Sequence, residues 1–208
     1  MSRKNPNLTL TQVLNLTGNL FLGSGHHKMV YIDPRDPKKC VKIIYDGDKH
    51  DIWREMRYRK ALGKKADDMP LLTKYYGTIE TDQGFGYVHE RVVDYDGEPS
   101  RTLFDEIENP RDADFLMRVL EEFHQEFLRE RFFTAGMDPK NFLVQRVSEN
   151  EAHIRIIDNI GTSAKIPVEY WFDFLALRRA KRAWAEFLKS QQKRHPAFFT
   201  PERVAKLR

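Results

Sequence analysis

The chain has 208 residues, a net charge of +4 and a hydrophobic content of 40%, with 14 phenylalanines. That is enough apolar material for one substantial core or two small ones, and it argues against a disordered tail. Cys40 is the only cysteine, which excludes an internal disulfide and leaves no basis for a cysteine-built zinc site.

No apolar run approaches the roughly 20 residues that cross a bilayer, so no membrane span is expected. The opening residues, Met1-Ser2-Arg3-Lys4-Asn5-Pro6, lack the apolar stretch of a secretory signal, and the cytoplasm is the expected compartment. The mild basicity suits an anionic nucleotide as well as nucleic acid or lipid, and demands none of them.

In chain order, residues 8–22 alternate loosely and predict a first strand. After Gly23-Ser24-Gly25, Met29-Val30-Tyr31-Ile32 predicts a strand and residues 33–37 a turn. Residues 40–45 predict the next strand, broken by Asp46-Gly47-Asp48. A helix follows over 51–62, with Ile52, Glu55, Met56, Arg59 and Leu62 spaced by three or four. Strands over 75–79 and 86–93 flank a hairpin signal at 80–84. Residues 94–99 are turn-rich and read as a joint between two lobes, residues 1–95 and 96–208.

The second half reads as mainly helical. Phe115, Val119, Leu120, Phe123, Phe127 and Leu128 form one apolar stripe, with Asp112 as its cap. Two short strands, 141–145 and 153–157, precede a helix over 168–191 carrying Trp171, Phe174, Leu175, Trp184, Phe187 and Leu188. Trp171 and Trp184 are expected in the core and the basic tail from Lys193 is expected to be loose. The fold class expected is α+β, two-lobed and compact, with a β-rich N-lobe and a helical C-lobe.

Four motifs carry chemistry. Gly23-Ser24-Gly25-His26-His27-Lys28-Met29-Val30 follows G-x-G-x-x-G-x-V except for Lys28, and such a loop brings backbone amides close to phosphates. Its plainer alternative is a glycine hairpin turn. Lys42 interrupts an apolar strand, which costs free energy unless the ammonium is paired or meets a phosphate; the alternative is an edge strand with Lys42 on its wet face. Glu55 is the counter-charge expected for Lys42, or else a surface partner of Arg59. Asn141 and Asp158 offer the hard oxygen ligands that magnesium takes, although Asp138-Pro139 and Asp158-Asn159-Ile160-Gly161 also read as ordinary turns. A glycine loop, a strand lysine, a loop asparagine and a strand-end aspartate occur in the order that a protein kinase uses to hold ATP and Mg2+.

The blocks Leu22-Gly23-Ser24-Gly25-His26, Val41-Lys42-Ile43, Arg54-Glu55, Tyr76-Gly77-Thr78-Ile79-Glu80-Thr81-Asp82, Gly86-Tyr87-Val88, Pro139-Lys140-Asn141 and Asp158-Asn159-Ile160-Gly161 resemble the PhoP regulatory network protein family (YrbL), a kinase-like group. The resemblance runs from about Leu20 to about Trp184. It implies a protein-kinase-like fold and, from the family's name, expression under an envelope-stress or low-magnesium two-component system. It names no reaction.

The kinase pattern breaks at one place. The catalytic aspartate stands five residues before the asparagine in H-R-D-x-x-x-x-N, and here that position is Gly136. Asp138 is the best remaining base. Two functions follow: an atypical phosphotransferase with an unknown acceptor, or a catalytically impaired pseudokinase acting as a nucleotide-responsive regulatory or scaffold module, with an acceptor or regulatory protein as the partner expected. Gly23, Ser24 and Gly25 would cover the phosphates, Lys42 would hold them with Glu55 orienting it, Asn141 and Asp158 would take Mg2+, and Asp138 with Lys42 would serve catalysis. A basic surface binder is a third reading, from Arg178, Arg179, Lys181, Arg182, Lys189 and Lys193. That pattern is better explained as the solvated side of a core helix, and nucleic acid is not expected.

Overall fold

Alternation of apolar and polar residues builds the first of two units, in a computed structural model that describes residues 13–208. This unit takes in residues up to Asp48 together with Tyr75–Arg91. Its five strands are β1 (Phe21–Ser24), β2 (Lys28–Asp33), β3 (Asp36–Ile44), β4 (Tyr75–Thr81) and β5 (Gly84–Glu90). They pair antiparallel in the order β1-β2-β3-β5-β4, which makes β3 the central strand. Val41 and Ile43 of β3 face one way and join Leu14, Leu16, Tyr31 and Val88 in a small core. The hairpins turn tightly: Arg35 closes β2 to β3 through its guanidinium on the buried Asp33 carboxylate, at 2.9 and 2.7 Å.

The strand expected over 8–22 is shorter than that span. Residues 8–12 lie outside the described residues. Leu14 forms an isolated bridge to Thr81, residues Gly18–Leu20 make a 3-10 turn, and only Phe21–Ser24 joins the sheet. The backbone of Leu14 is held instead by Glu80 and Asp82, through hydrogen bonds of 2.9 and 3.0 Å.

The second unit comprises Lys49–Lys74 and Val92–Arg208. The single division expected at residue 95 is thus replaced by an interleaved one, for a local reason. α1 (His50–Leu62) and the short α2 (Lys65–Asp68) lead into Leu72, which bridges Ile156, and the Ile156 amide donates to the Leu71 carbonyl at 2.7 Å. A three-stranded sheet, β6 (Arg101–Thr102), β7 (Phe142–Arg146) and β8 (Ala152–Ile156), packs with α3 (Leu103–Glu108) and α4 (Ala113–Arg129). The turn at residues 94–99 is anchored by Asp94, 5% exposed, whose Oδ1 accepts from Ser100 and from the Arg146 amide.

α4 has the stripe and cap the sequence predicts. Val119, Leu120, Phe123 and Phe127 of that stripe are buried and Phe115 and Leu128 partly so, and the Asp112 carboxylate accepts from the amides of Asp114 and Phe115. α5 (Asp173–Arg194) begins later than the expected residue 168, because Val168–Tyr170 forms a separate 3-10 turn. Trp184 is buried as expected, but Trp171 is 67% exposed and Phe174 69% exposed, so neither belongs to the core. The tail is not loose either. Phe198, Phe199, Val204 and Leu207 are buried, α6 (Pro201–Lys206) closes the chain, and the Trp184 indole donates to the Leu207 carbonyl at 2.7 Å. Four apolar residues outweigh the basic character of that segment.

His124 on α4 stacks flat against Trp184, ring centres 4.4 Å apart. Burial holds its imidazole below the usual value of 6.5. The unfolded chain therefore takes up a proton where the folded chain resists one, so this site withdraws stability as pH falls from about 6.5 toward the lower folded value. We expect the urea midpoint to fall between pH 7 and pH 5 by less in His124→Phe than in the parent chain. Equal decrements in the two proteins would remove His124 from the account.

Candidate functional site

In the first unit Gly23 and Ser24 end β1, and the Gly25 amide donates to the Lys28 carbonyl at 2.8 Å to close the turn. A Cβ at Gly23 or Gly25 would meet no heavy atom within 4 Å, so packing inside the unit does not demand glycine at either place. The loop is tied down from β3's end. The Tyr45 hydroxyl donates to the Gly25 carbonyl at 3.1 Å and to that of His26, and His27 Nδ1 pairs with the Asp46 carboxylate. Hydrogen bonding to His27 holds the Asp46 carboxyl below its ordinary value. Lys28, at the place of the motif's third glycine, is the first residue of β2 and pairs with Ile44.

Lys42 lies on the central strand, opposite Val30 of β2 and Tyr87 of β5, and is 7% exposed. The edge-strand alternative for it is thereby excluded. Period-two alternation sets Lys42 on the face opposite Val41 and Ile43, so its ammonium is turned away from the apolar core of this unit.

In the second unit Glu55 is 4% exposed on α1, and its Oε1 accepts from Arg59 Nε at 2.8 Å. The sequence offered a surface pair with Arg59 as one reading of Glu55; the pair exists but it is buried, with Arg59 also donating to the Thr73 carbonyl at 2.7 Å. Residues 133–135 and 159–161 are laced together. The Gly161 amide donates to Phe133, the Ala135 amide to Asn159, both at 2.8 Å, and the Thr134 hydroxyl reaches the Asn159 carbonyl at 2.9 Å.

The β7–β8 hairpin brings Asn141 beside Asp158. Phe142 pairs with Ile156, and the Ile157 amide donates to the Asn141 carbonyl at 2.9 Å, so the two residues share one end of the ladder. They offer one amide oxygen and one carboxylate. Among the described residues no group of three or more His, Cys, Asp or Glu side chains could hold a metal ion, so any cation here would draw its remaining ligands from elsewhere. Asp138 is exposed, and its Oδ1 accepts from the Lys140 amide at 3.0 Å, capping the 3-10 turn Pro139–Asn141. The turn reading of Asp138-Pro139 is therefore realised in the backbone. Gly136 is exposed, with no heavy atom within 4 Å of where a Cβ would stand.

Sequence reasoning missed the arginines that position this region. Arg54, 7% exposed, donates from Nε to the Ile160 carbonyl at 3.2 Å and from Nη2 to Asn159 Oδ1 at 3.0 Å, and pairs with Asp51 at 2.9 Å. Arg57 donates to the carbonyls of Thr162 and Ala164 at 2.6 and 2.8 Å. Burial pushes the Tyr58 phenol well above its ordinary value, with the Phe133 amide on its oxygen. The signal was a weak one: Arg54 and Tyr58 are four apart on α1, on the side shared with Ile52 and Glu55.

The molecule is thus an α+β protein with a β-sheet first part, a mainly helical later part, and an asparagine–aspartate pair at a hairpin end. The family model described as PhoP regulatory network protein YrbL matches residues 14–192, and the chain belongs to that family. Two relatives, from Escherichia coli strain K12 and Shigella flexneri, both described as uncharacterized protein YrbL, are each 37% identical over 173 residues. The match spans 80% of this chain and 82% of theirs.

Gly161 has φ +88°, and a Cβ there would stand 2.9 Å from the Arg54 carbonyl oxygen. Gly161→Ala should cost about 1–3 kcal/mol in urea denaturation, from backbone strain and the forced retreat of α1. Gly136→Ala, with open space around it, should stay within about 0.5 kcal/mol. Reversal of that order would contradict the packing described.

Proposed function

We propose that this protein has a protein-kinase-like fold and binds ATP with Mg2+. The observation that carries the reading is the Asn141–Asp158 pair, one amide and one carboxylate held at the same end of the β7–β8 hairpin by the Ile157–Asn141 hydrogen bond. Magnesium takes hard oxygen donors in small number from protein and completes its shell with phosphate and water, so this donor set fits it. Bound there, the ion would neutralise phosphate charge. Lys42 would meet the α- and β-phosphates. Gly23, Ser24 and Gly25 would cover the phosphates, where the open space around both glycines supports a close approach.

Transfer to an acceptor is the weaker half of the reading, and Gly136 favours a second one. Without a carboxylate at that position, and with one Asp138 oxygen engaged by the Lys140 amide, the chain would act as a nucleotide-responsive regulatory module. A general base contributes about 10²–10⁴-fold, while positioning and electrostatics carry most of phosphoryl transfer. Slow turnover with Asp138 as base remains compatible with the same binding.

Calorimetric titration with ATP and Mg2+ tests the binding. We expect Lys42→Ala and Asp158→Asn each to weaken it about tenfold or more, since each removes a charge-assisted contact to the nucleotide or its ion. A parent chain with no ATP response ends the proposal. Gly136→Asp, for which there is room, then separates the two readings: phosphate release from ATP rising about 100-fold or more favours an impaired enzyme, and no gain with binding intact favours the regulatory module.

A further inference from the structure

The segment from Ile166 to Phe174 in the second unit is built inside out. Ile166, Val168, Trp171, Phe172 and Phe174 are between 41% and 69% exposed, five large apolar side chains within nine residues. Isolated exposed apolar residues are common, but a cluster of this kind marks an interaction surface. Two polar members of the same stretch, Glu169 and Tyr170, are the ones that turn inward, while Asp173 stays exposed. Glu169 pairs with Arg179 at 3.2 Å, and the Tyr170 hydroxyl accepts from the Thr162 amide at 3.1 Å while its ring packs edge-on to Phe133. Arg57 holds the approach through the carbonyls of Thr162 and Ala164. The strap is thus anchored by its polar atoms and presents its apolar ones.

Cations stand behind it. Residues 163–182 carry five Lys or Arg against two carboxylates. Of those two, Glu169 is committed to Arg179 and Asp173 pairs with Arg131. On α5, Phe174, Arg178, Lys181 and Arg182 recur at helical spacing and all are exposed; Arg182 is paired with Glu186 at 2.8 Å, so an aromatic side chain leads the stripe and Arg178 and Lys181 are the cations it offers. At about 1.5 Å per residue, Arg178 and Arg182 lie roughly 6 and 12 Å along the axis from Phe174. Lys165 flanks the strap on the other side and is also exposed.

We propose that this strap and the cationic stripe behind it dock on an anionic lipid bilayer. Trp and Phe favour the headgroup boundary, amphipathic surface elements bury their apolar side about 5–10 Å into it, and Lys and Arg at that distance meet the lipid phosphates. Among the described residues no helix is long and apolar enough to cross a membrane, so the chain would lie on the surface. The five apolar residues project outward: the cavity of about 700 Å³ beside them is walled by Glu169, Leu175 and Arg178, and none of the five lines it. A peptide partner would call for an enclosing groove, whereas a fluid interface requires no shape complementarity.

Co-sedimentation of the full chain with vesicles decides the matter. Vesicles of phosphatidylethanolamine and phosphatidylglycerol should carry the protein down, and vesicles of phosphatidylcholine alone should not. Raising the salt concentration should release it. The double variant Trp171→Ala/Phe174→Ala should lose about tenfold or more in partitioning. Lys165→Ala and Arg178→Ala, exposed changes that leave the fold alone, should each lose about fivefold, the worth of one cation near an anionic surface, and they decide the case if the aromatic variant does not fold. Failure of the parent chain to sediment with anionic vesicles overturns the proposal. So does an unchanged partitioning in the charge variants, or a stable dimer in sedimentation velocity that dissociates in Trp171→Ala, since the strap would then be covered by a second copy.

Discussion

The arrangement of the second unit's candidate site depends on one buried guanidinium. Arg54 projects from α1 and binds the loop that follows β8 at two points, the Ile160 carbonyl and the Asn159 side chain. A buried arginine with unmet donors would be costly, so the loop that satisfies it is selected along with it. Asp51, three residues earlier on the same helix, supplies the counter-charge. Together with the Leu72–Ile156 bridge, this side chain ties residues 49–74 to the second unit although they interrupt the strands of the first.

The close approach has a backbone cost that falls on two residues. Asn159 adopts φ +58° and Gly161 φ +88°, the first a conformation that asparagine tolerates better than most residues and the second one natural to glycine. Between them, Ile160 is fully buried and bridges Thr134. The result is a loop over-determined by hydrogen bonds from α1 and from residues 133–135, which is how an uncommon backbone geometry is kept in place. Asp158 is at the root of that loop, with its Oδ1 accepting the Asn159 amide, so the carboxylate's direction is set by the chain that follows it.

Much of this was legible in the sequence, and the pattern of what was missed is physical. The strands around Lys42, the hairpin at residues 80–84, the α4 stripe and its Asp112 cap announce themselves through period and punctuation. α2, α3 and β6 are six residues or fewer, too short for a period to emerge. Periodicity also cannot say what covers an apolar face. Trp171 and Trp184 look alike in the sequence, yet one is bare and the other is enclosed by His124, Phe187 and the returning tail. The tail itself was misjudged because its charges are plain in the sequence and the pocket that receives Phe198, Phe199 and Leu207 is not. Lys42 and Glu55 were found as charges in apolar surroundings. Arg54 and Tyr45 were not, because Tyr45 binds backbone carbonyls, which leave no trace in composition, and Arg54 binds a carbonyl and a side chain more than a hundred residues away.

Residues 134–141 form a loop whose geometry does not depend on the side chain at position 136. The Thr134 hydroxyl donates to the Gly136 carbonyl and accepts its amide, and the Asp138 carboxylate caps the turn that presents Asn141. These bonds fix the backbone without calling on any side chain at position 136. A loop that satisfies its own polar groups in this way keeps Asn141 in register with Ile157 whether or not a proton acceptor stands nearby. The end of the hairpin that carries Asn141 and Asp158 therefore persists on structural grounds alone, and the position of Asp138 is governed first by its role as a cap.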